Sequence, residues 1–264
     1  MLKRIYLIVF IVLSVQLACA QESIVTDRPD QTESSLTIPH KSFQIESGFG
    51  FYFTNNSTSI STPNTLFRLG VSRFFELRFF NEVLINKPIL TEKEKGISDL
   101  QFGFKWQLFK KDDNKTSIGF LSHLIVPSGS KSLSNNSWGN TSRILFAHQL
   151  TDQTSLGYNL GYTYLNSLKG NLIYTLSCAH SITDKFAVFA EIYGNLIEFE
   201  KIMANGDAGF TFLIKPNIQL DASYGLGFNE KMNFFSLGVS WNIAPKNSPS
   251  LLTGNLLHAR KSQP

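Results

Sequence analysis

The sequence predicts an all-β chain, a transmembrane antiparallel up-and-down barrel of about twelve strands. Three observations predict it. From Asp99 to Leu108 large apolar residues (Leu100, Phe102, Phe104, Trp106, Leu108) alternate with polar or tiny ones (Asp99, Gln101, Gly103, Lys105, Gln107), the period of a strand with one apolar and one wet face. Such runs reach roughly ten residues, long for a soluble strand but the length a tilted strand needs to cross a bilayer. The connections between runs alternate in length, as expected when short turns lie on one side of a membrane and longer loops on the other.

Residues 1–20 read as a secretory leader. Lys3 and Arg4 form its basic end, Ile5 to Leu17 its apolar run and Ala18-Cys19-Ala20 a small-x-small cleavage site. Gln16 stands where a lipoprotein signal wants an aliphatic residue, so lipidation of Cys19 is not expected. Residues 21–40 are polar and carry Pro29 and Pro39, an extended lead-in. The barrel is expected over 41–245. Its clearest strands are 42–53, 99–108, 155–164, 218–228 and 234–243. Weaker ones fall at 64–72, 75–85, 116–126, 138–149, 171–182, 186–198 and 205–214. Short turns are expected at 73–74, 110–115, 151–153, 183–185 and 215–217, on the periplasmic side with both termini. Longer connections are expected at 54–63, 86–96 and 127–137, with brief ones near 166–169, 199–204 and 229–232. Residues 246–264 read as a basic, disordered tail.

Composition narrows the class. Of 264 residues 42% are hydrophobic, 23 are Phe and only 17% are charged, below the roughly 25% of soluble domains. Without Lys3 and Arg4, 22 bases face 20 acids, which gives no support to a nucleic-acid surface. Cys178 is the one cysteine beyond the leader, so no intramolecular disulfide forms. A soluble β-sandwich would bury the apolar faces instead. The aromatics Phe43, Trp106, Tyr164, Phe228 and Trp241 near the ends of those faces favour the membrane.

The lead-in contains Thr26-Asp27-Arg28-Pro29-Asp30-Gln31-Thr32-Glu33, then Ile38-Pro39 and Gln44-Ile45-Glu46-Ser47-Gly48. It resembles the family named Putative MetA-pathway of phenol degradation, over most of the mature chain. The resemblance implies an outer-membrane barrel that passes aromatic or other apolar small molecules. Ser236 to Ile243 resembles the assembly signal of outer-membrane barrels, with Gly238, Trp241 and Ile243 in its key places. Here the chain continues beyond that signal to Pro264.

Asp27, Arg28, Asp30 and Glu33 admit two readings: a plug that folds into the lumen and pairs with the wall, or a solvated periplasmic tether. As a plug, its acids would meet Arg68, Arg78, Lys105 and Arg143, and Arg28 would meet Asp99 or Asp221. Glu46, Arg68, Glu76, Arg78, Asp99, Lys105, Arg143, Asp207 and Asp221 fall on the polar faces. They face the lumen because a midplane Arg or Lys facing lipid costs about 2–4 kcal/mol. There they either set selectivity or form a wall-stiffening ion-pair network, the plainer reading. His40, His123, His148, His180 and His258 form no metal-ligand pattern, so no metal and no cofactor is expected. Ser122-His123 and His180-Ser181 point to opposite faces, and a hydrolase would need a cross-strand pair such as His123 with a serine of 138–149. An enzyme is not expected.

The expectation is a monomeric, exported barrel in a Gram-negative type outer membrane. Its partners are lipid, the barrel-assembly machinery and an unidentified small molecule, with no nucleic acid. It acts as a channel or transporter; a structural barrel with a blocked lumen, or an outer-membrane lipid hydrolase, are the alternatives.

Overall fold

The structure is a computed structural model that describes residues 23–111, 115–165 and 169–244. The leader (1–20) and the tail (246–264) lie outside the described residues. Twelve strands close into one antiparallel ring: β1 (Phe43–Thr54), β2 (Ser57–Gly70), β3 (Phe75–Pro88), β5 (Leu100–Lys110), β6 (Thr116–Val126), β7 (Gly139–Gln149), β8 (Thr154–Leu165), β9 (Asn171–Ser181), β10 (Phe186–Ile197), β11 (Lys201–Lys215), β12 (Ile218–Gly227) and β13 (Met232–Ile243). A short extra strand, β4 (Glu94–Ile97), extends β3 beyond the ring. Neighbours in sequence are neighbours in the sheet. The ring shuts where β1 meets β13, from Phe43 opposite Ile243 to Thr54 opposite Met232. Closure leaves no open strand edge, the condition for sheet in a bilayer.

Burial runs opposite to that of a soluble protein. Arg68 and Lys105 are the largest fully buried side chains, while Phe102 and Trp106 are about half exposed, at 49% and 51%. The sandwich would require the reverse. The outer face carries Phe49, Ile144, Leu160, Ile192, Leu220 and Leu237, an apolar belt suited to lipid chains. The inner face carries the polar alternates. Phe67, Phe79 and Phe102 stack along the outer face of β2, β3 and β5, cross-strand pairs that fix register where they meet.

The expected strands form, with one marked difference. The connection expected at 54–63 is a tight turn, and β2 begins at Ser57. Pro63 hid this strand, since it cannot donate to a ladder. The register shifts between Ser61 and Asn64 on the β3 side, so Pro63 sits in a bulge where no donor is needed. Likewise β11 begins at Lys201 rather than 205. The far end of β2, from Ser57 to Thr62, is mostly polar.

Candidate functional site

The lumen is occupied by the chain's own lead-in. Three bases converge from adjacent strands. Arg68 of β2 lies opposite Arg78 of β3, and Lys105 of β5 lies opposite Glu76 of β3. Two arginines directly opposed would repel. Asp27 removes that conflict: its Oδ2 lies 3.1 Å from Arg68 Nη1 and 2.6 Å from Arg78 Nη1, and Lys105 Nζ donates to its Oδ1 at 2.7 Å. Glu46 and Glu76 hold Arg68 from either side at 2.7 and 2.8 Å, and Glu33 takes Arg78 Nη2 at 2.9 Å. Burial alone would raise the Asp27 pKa. Arg68, Lys105 and Arg78 outweigh it and hold the carboxyl well below its ordinary value.

Arg28 is seated next to this cluster. Its guanidinium donates to both oxygens of Asp221 (3.3 and 3.0 Å), to Asn64 Oδ1 (3.0 Å) and to Ser236 Oγ (3.0 Å). It lies flat against β1 and β13, where Gly48 faces Gly238. A Cβ on either glycine would collide with the guanidinium, so the two glycines form its slot. Gly238 thus carries a second task besides its place in the assembly-like motif. Trp241 and Ile243, on the same strand, point outward and are exposed.

The segment then crosses the lumen. Gln31 N donates to Glu191 Oε2 of β10 (2.6 Å), Thr32 Oγ1 donates to Glu191 and lies 2.7 Å from the Thr175 hydroxyl of β9, and Glu33 N donates to Asn159 of β8 (2.7 Å). Ser35 Oγ meets Ser117 Oγ of β6 at 2.7 Å, and Ile38 N donates to Glu76 Oε2 at 2.8 Å. Arg143 of β7 donates to the Gln31 carbonyl at 3.0 Å. A chain bonded to walls on opposite sides of a closed ring passes through it. Ile38, 1% exposed, is its buried aliphatic side chain.

A second acidic group lies around Asp30. Glu191 and Asp207 are directly opposed on β10 and β11, and both carboxylate oxygens of Asp207 are buried without a hydrogen-bond partner. Asp30 feels both. Burial, and then Glu191, push its carboxyl well above the ordinary value.

Two sequence expectations are corrected. Asp99 is not in the lumen. It binds the connection between β6 and β7 through Gly129 N, Ser134 Oγ, Asn135 N and Asn135 Nδ2, at 2.7–3.0 Å. Alternation fixes the face a residue takes, not its height, and Asp99 stands at the rim. Burial alone would raise its pKa, and these hydrogen bonds lower it. Arg143 meets a backbone carbonyl rather than an acid of the lead-in. His123 receives a hydrogen bond from Arg78 Nε at 3.0 Å and meets Gln101 Oε1 at 3.1 Å. No serine of β7 reaches it; Ser122 and Ser142 bond each other. Glu191 and Glu82 were not singled out from sequence. Leu121 and Leu145 were missed too: both are inward and fully buried, because polar alternation is looser where the lead-in covers the wall.

The lead-in leaves space on both sides. A cavity of about 280 Å³ at the long-loop end is lined by Tyr52, Leu66, Phe80, Leu121 and Phe234 with Glu82, Gln101 and Arg143. A second, of about 180 Å³, lies near the short turns against Ala147, Ser155, Gly157 and Ala179. Asp30 and Glu33 line both.

A closed twelve-stranded ring with an apolar exterior and a charged interior defines the class: an integral membrane β-barrel with an internal N-terminal segment. The chain belongs to the family described as Putative MetA-pathway of phenol degradation, whose pattern matches residues 26–243. Among solved structures, an outer membrane channel from Pseudomonas putida F1 is similar with a TM-score of 0.70 at 10% identity, covering 81% of this chain and 100% of that one. The KdgM porin, solved in complex with disordered oligogalacturonate, is similar with a TM-score of 0.55 at 10% identity, covering 74% of this chain and 98% of the other. At these identities the likeness concerns the fold. No curated protein matches the sequence.

Proposed function

We propose that the protein is an outer-membrane channel for small molecules, aromatic or otherwise apolar, and that residues 24–42 are its internal gate. The observation that carries this reading is the crossing lead-in with a cavity on each side. A lumen meant only to be stiff has no use for space at both mouths. The aromatic and aliphatic wall of Tyr52, Leu66, Phe80, Leu121 and Phe234 supports an apolar solute. In this reading the chain is exported by its leader and inserted by the barrel-assembly machinery through the motif ending at Trp241 and Ile243. It works as a monomer, with the short turns in the periplasm. The runner-up, a permanently filled structural barrel, draws on the buried ion pairs around Asp27.

Liposome swelling separates the two. Protein lacking residues 24–42 should admit small neutral aromatic solutes faster than intact protein. Equal rates, with the barrel shown to be folded by its heat-modifiable gel mobility, would favour the filled barrel. Asp27→Asn, which keeps the whole segment, provides a second comparison.

A further inference from the structure

The charges of the lumen do not balance. Arg28, Arg68, Arg78 and Lys105 each lie in an ion pair with an acid. Among the described residues, Asp30, Glu82, Glu191 and Asp207 have no ion-pair partner. Glu82 lines the larger cavity, and Ser61 Oγ donates to its Oε1 at 2.5 Å. Asp30 lines both cavities. Behind it lie Glu191, 4% exposed, and Asp207, 7% exposed, the latter with both oxygens unpartnered. Among the described residues, Arg143 is the one arginine or lysine of the lumen without an ion pair; its Nε is buried without a partner.

We propose that these four acids make the passage selective for cations, with Glu82 as the acid of the outer vestibule and Asp30, backed by Glu191 and Asp207, as the acid shared by both cavities. The inference rests on the channel reading above and adds the class of solute: small cations and amine-bearing apolar molecules pass or dwell, and carboxylates are turned away. Acidic linings select cations in pores because each carboxylate lowers the potential along the path. The low-dielectric wall strengthens that field. Within the larger cavity Glu82 is accompanied by Tyr52 and Phe234, whose rings stack with centroids 5.6 Å apart. An aromatic wall beside a carboxylate suits an ammonium group on an apolar body. The groups facing Asp207 are Glu191 and Tyr193 of β10 and Asp30 of the lead-in, with Arg143 acting on Glu191. The larger cavity is lined by Arg28, Arg78 and Arg143 against Asp27, Asp30, Glu33, Glu46 and Glu82, so acids outnumber bases and the net field is negative when they are ionised.

The test is the reversal potential of intact protein in planar bilayers under a KCl gradient at alkaline pH, where Asp30, whose carboxyl is held well above its ordinary value, is ionised. A unit charge at about 5 Å in water biases a monovalent ion about fourfold, and its counter-ion about fourfold the other way. A permeability ratio of K⁺ over Cl⁻ on the order of ten is therefore expected. Glu82→Gln and Asp30→Asn should each lower it severalfold, and the combined Asp30→Asn, Glu191→Gln, Asp207→Asn variant more. Glu200→Gln, whose ion pair with Lys169 is exposed on the rim, should leave it unchanged. The ratio should also rise with pH. A ratio at or below one in intact protein, or one that neither single variant alters, overturns the proposal. Current that appears only when residues 24–42 are removed upholds the gate yet overturns this inference, because Asp30 is then off the open path. Absence of current from every form overturns both.

Discussion

Asp27→Asn is the sharpest perturbation of the lead-in. The substitution keeps shape and removes one charge, leaving Arg68, Arg78 and Lys105 without the acid they share. Breaking a buried pair from one side costs about 3–5 kcal/mol. Arg68 retains Glu46 and Glu76, and Arg78 retains Glu33, so the lower end, about 3 kcal/mol, is expected. At 1.4 kcal/mol per factor of ten, the lead-in should then leave its seat roughly a hundred times more often. Ser35 reports this, being fully buried against Ser117. With Ser35→Cys in a Cys178→Ser background, a bulky thiol reagent should label the Asp27→Asn protein about a hundredfold faster than its parent. Strand content and heat-modifiable mobility verify the barrel. An unchanged labelling rate would refute the reasoning, because it would mean that Asp27 contributes nothing to docking.

Three further outcomes are expected. Asp30 has its docked pKa raised, so its contribution to docking is present below the free value and fades as pH rises through the docked one; the lowered Asp27 keeps its contribution at all pH values above its free value. The labelling rate at Ser35→Cys, normalised to a free thiol standard, should thus climb towards alkaline pH, and Asp30→Asn should flatten that climb. Gly238→Ala should displace Arg28 from Asp221 and speed labelling at the same site, while Ser134→Ala at the rim should not. Trp241→Ala should lower the yield of folded protein in the outer membrane, measured against Phe235→Ala on the same outward face of β13.

The fold was legible because a bilayer enforces what sequence can show. Phe102, Phe104 and Trp106 must face lipid and Lys105 must not, so alternation in β5 is strict. Where a strand end is mostly polar that demand lapses, and Ser57 to Pro63 read as a loop although Ser57 to Ser61 pair with β3. Sequence also marked Asp27, Arg28 and the bases of β2, β3 and β5 as partners. It could not say that Asp27 would serve three bases at once, since that depends on how β2, β3 and β5 are staggered. Asp99 shows the same limit from the other side: its face was readable, its height was not. Glu191 escaped notice because Phe186 to Ile197 is mostly apolar on both faces, and its role appears only when Gln31 and Thr32 reach it.

The central claim is that the docked lead-in narrows the lumen and that its departure widens it. Thr32 Oγ1 and Thr175 Oγ1 are 2.7 Å apart, close enough for a cysteine pair to form a disulfide across lead-in and wall. Single-channel current through Thr32→Cys, Thr175→Cys protein carrying Cys178→Ser and Asp27→Asn should be small when oxidised and should grow, reversibly, on reduction. The same current in both redox states would contradict the account.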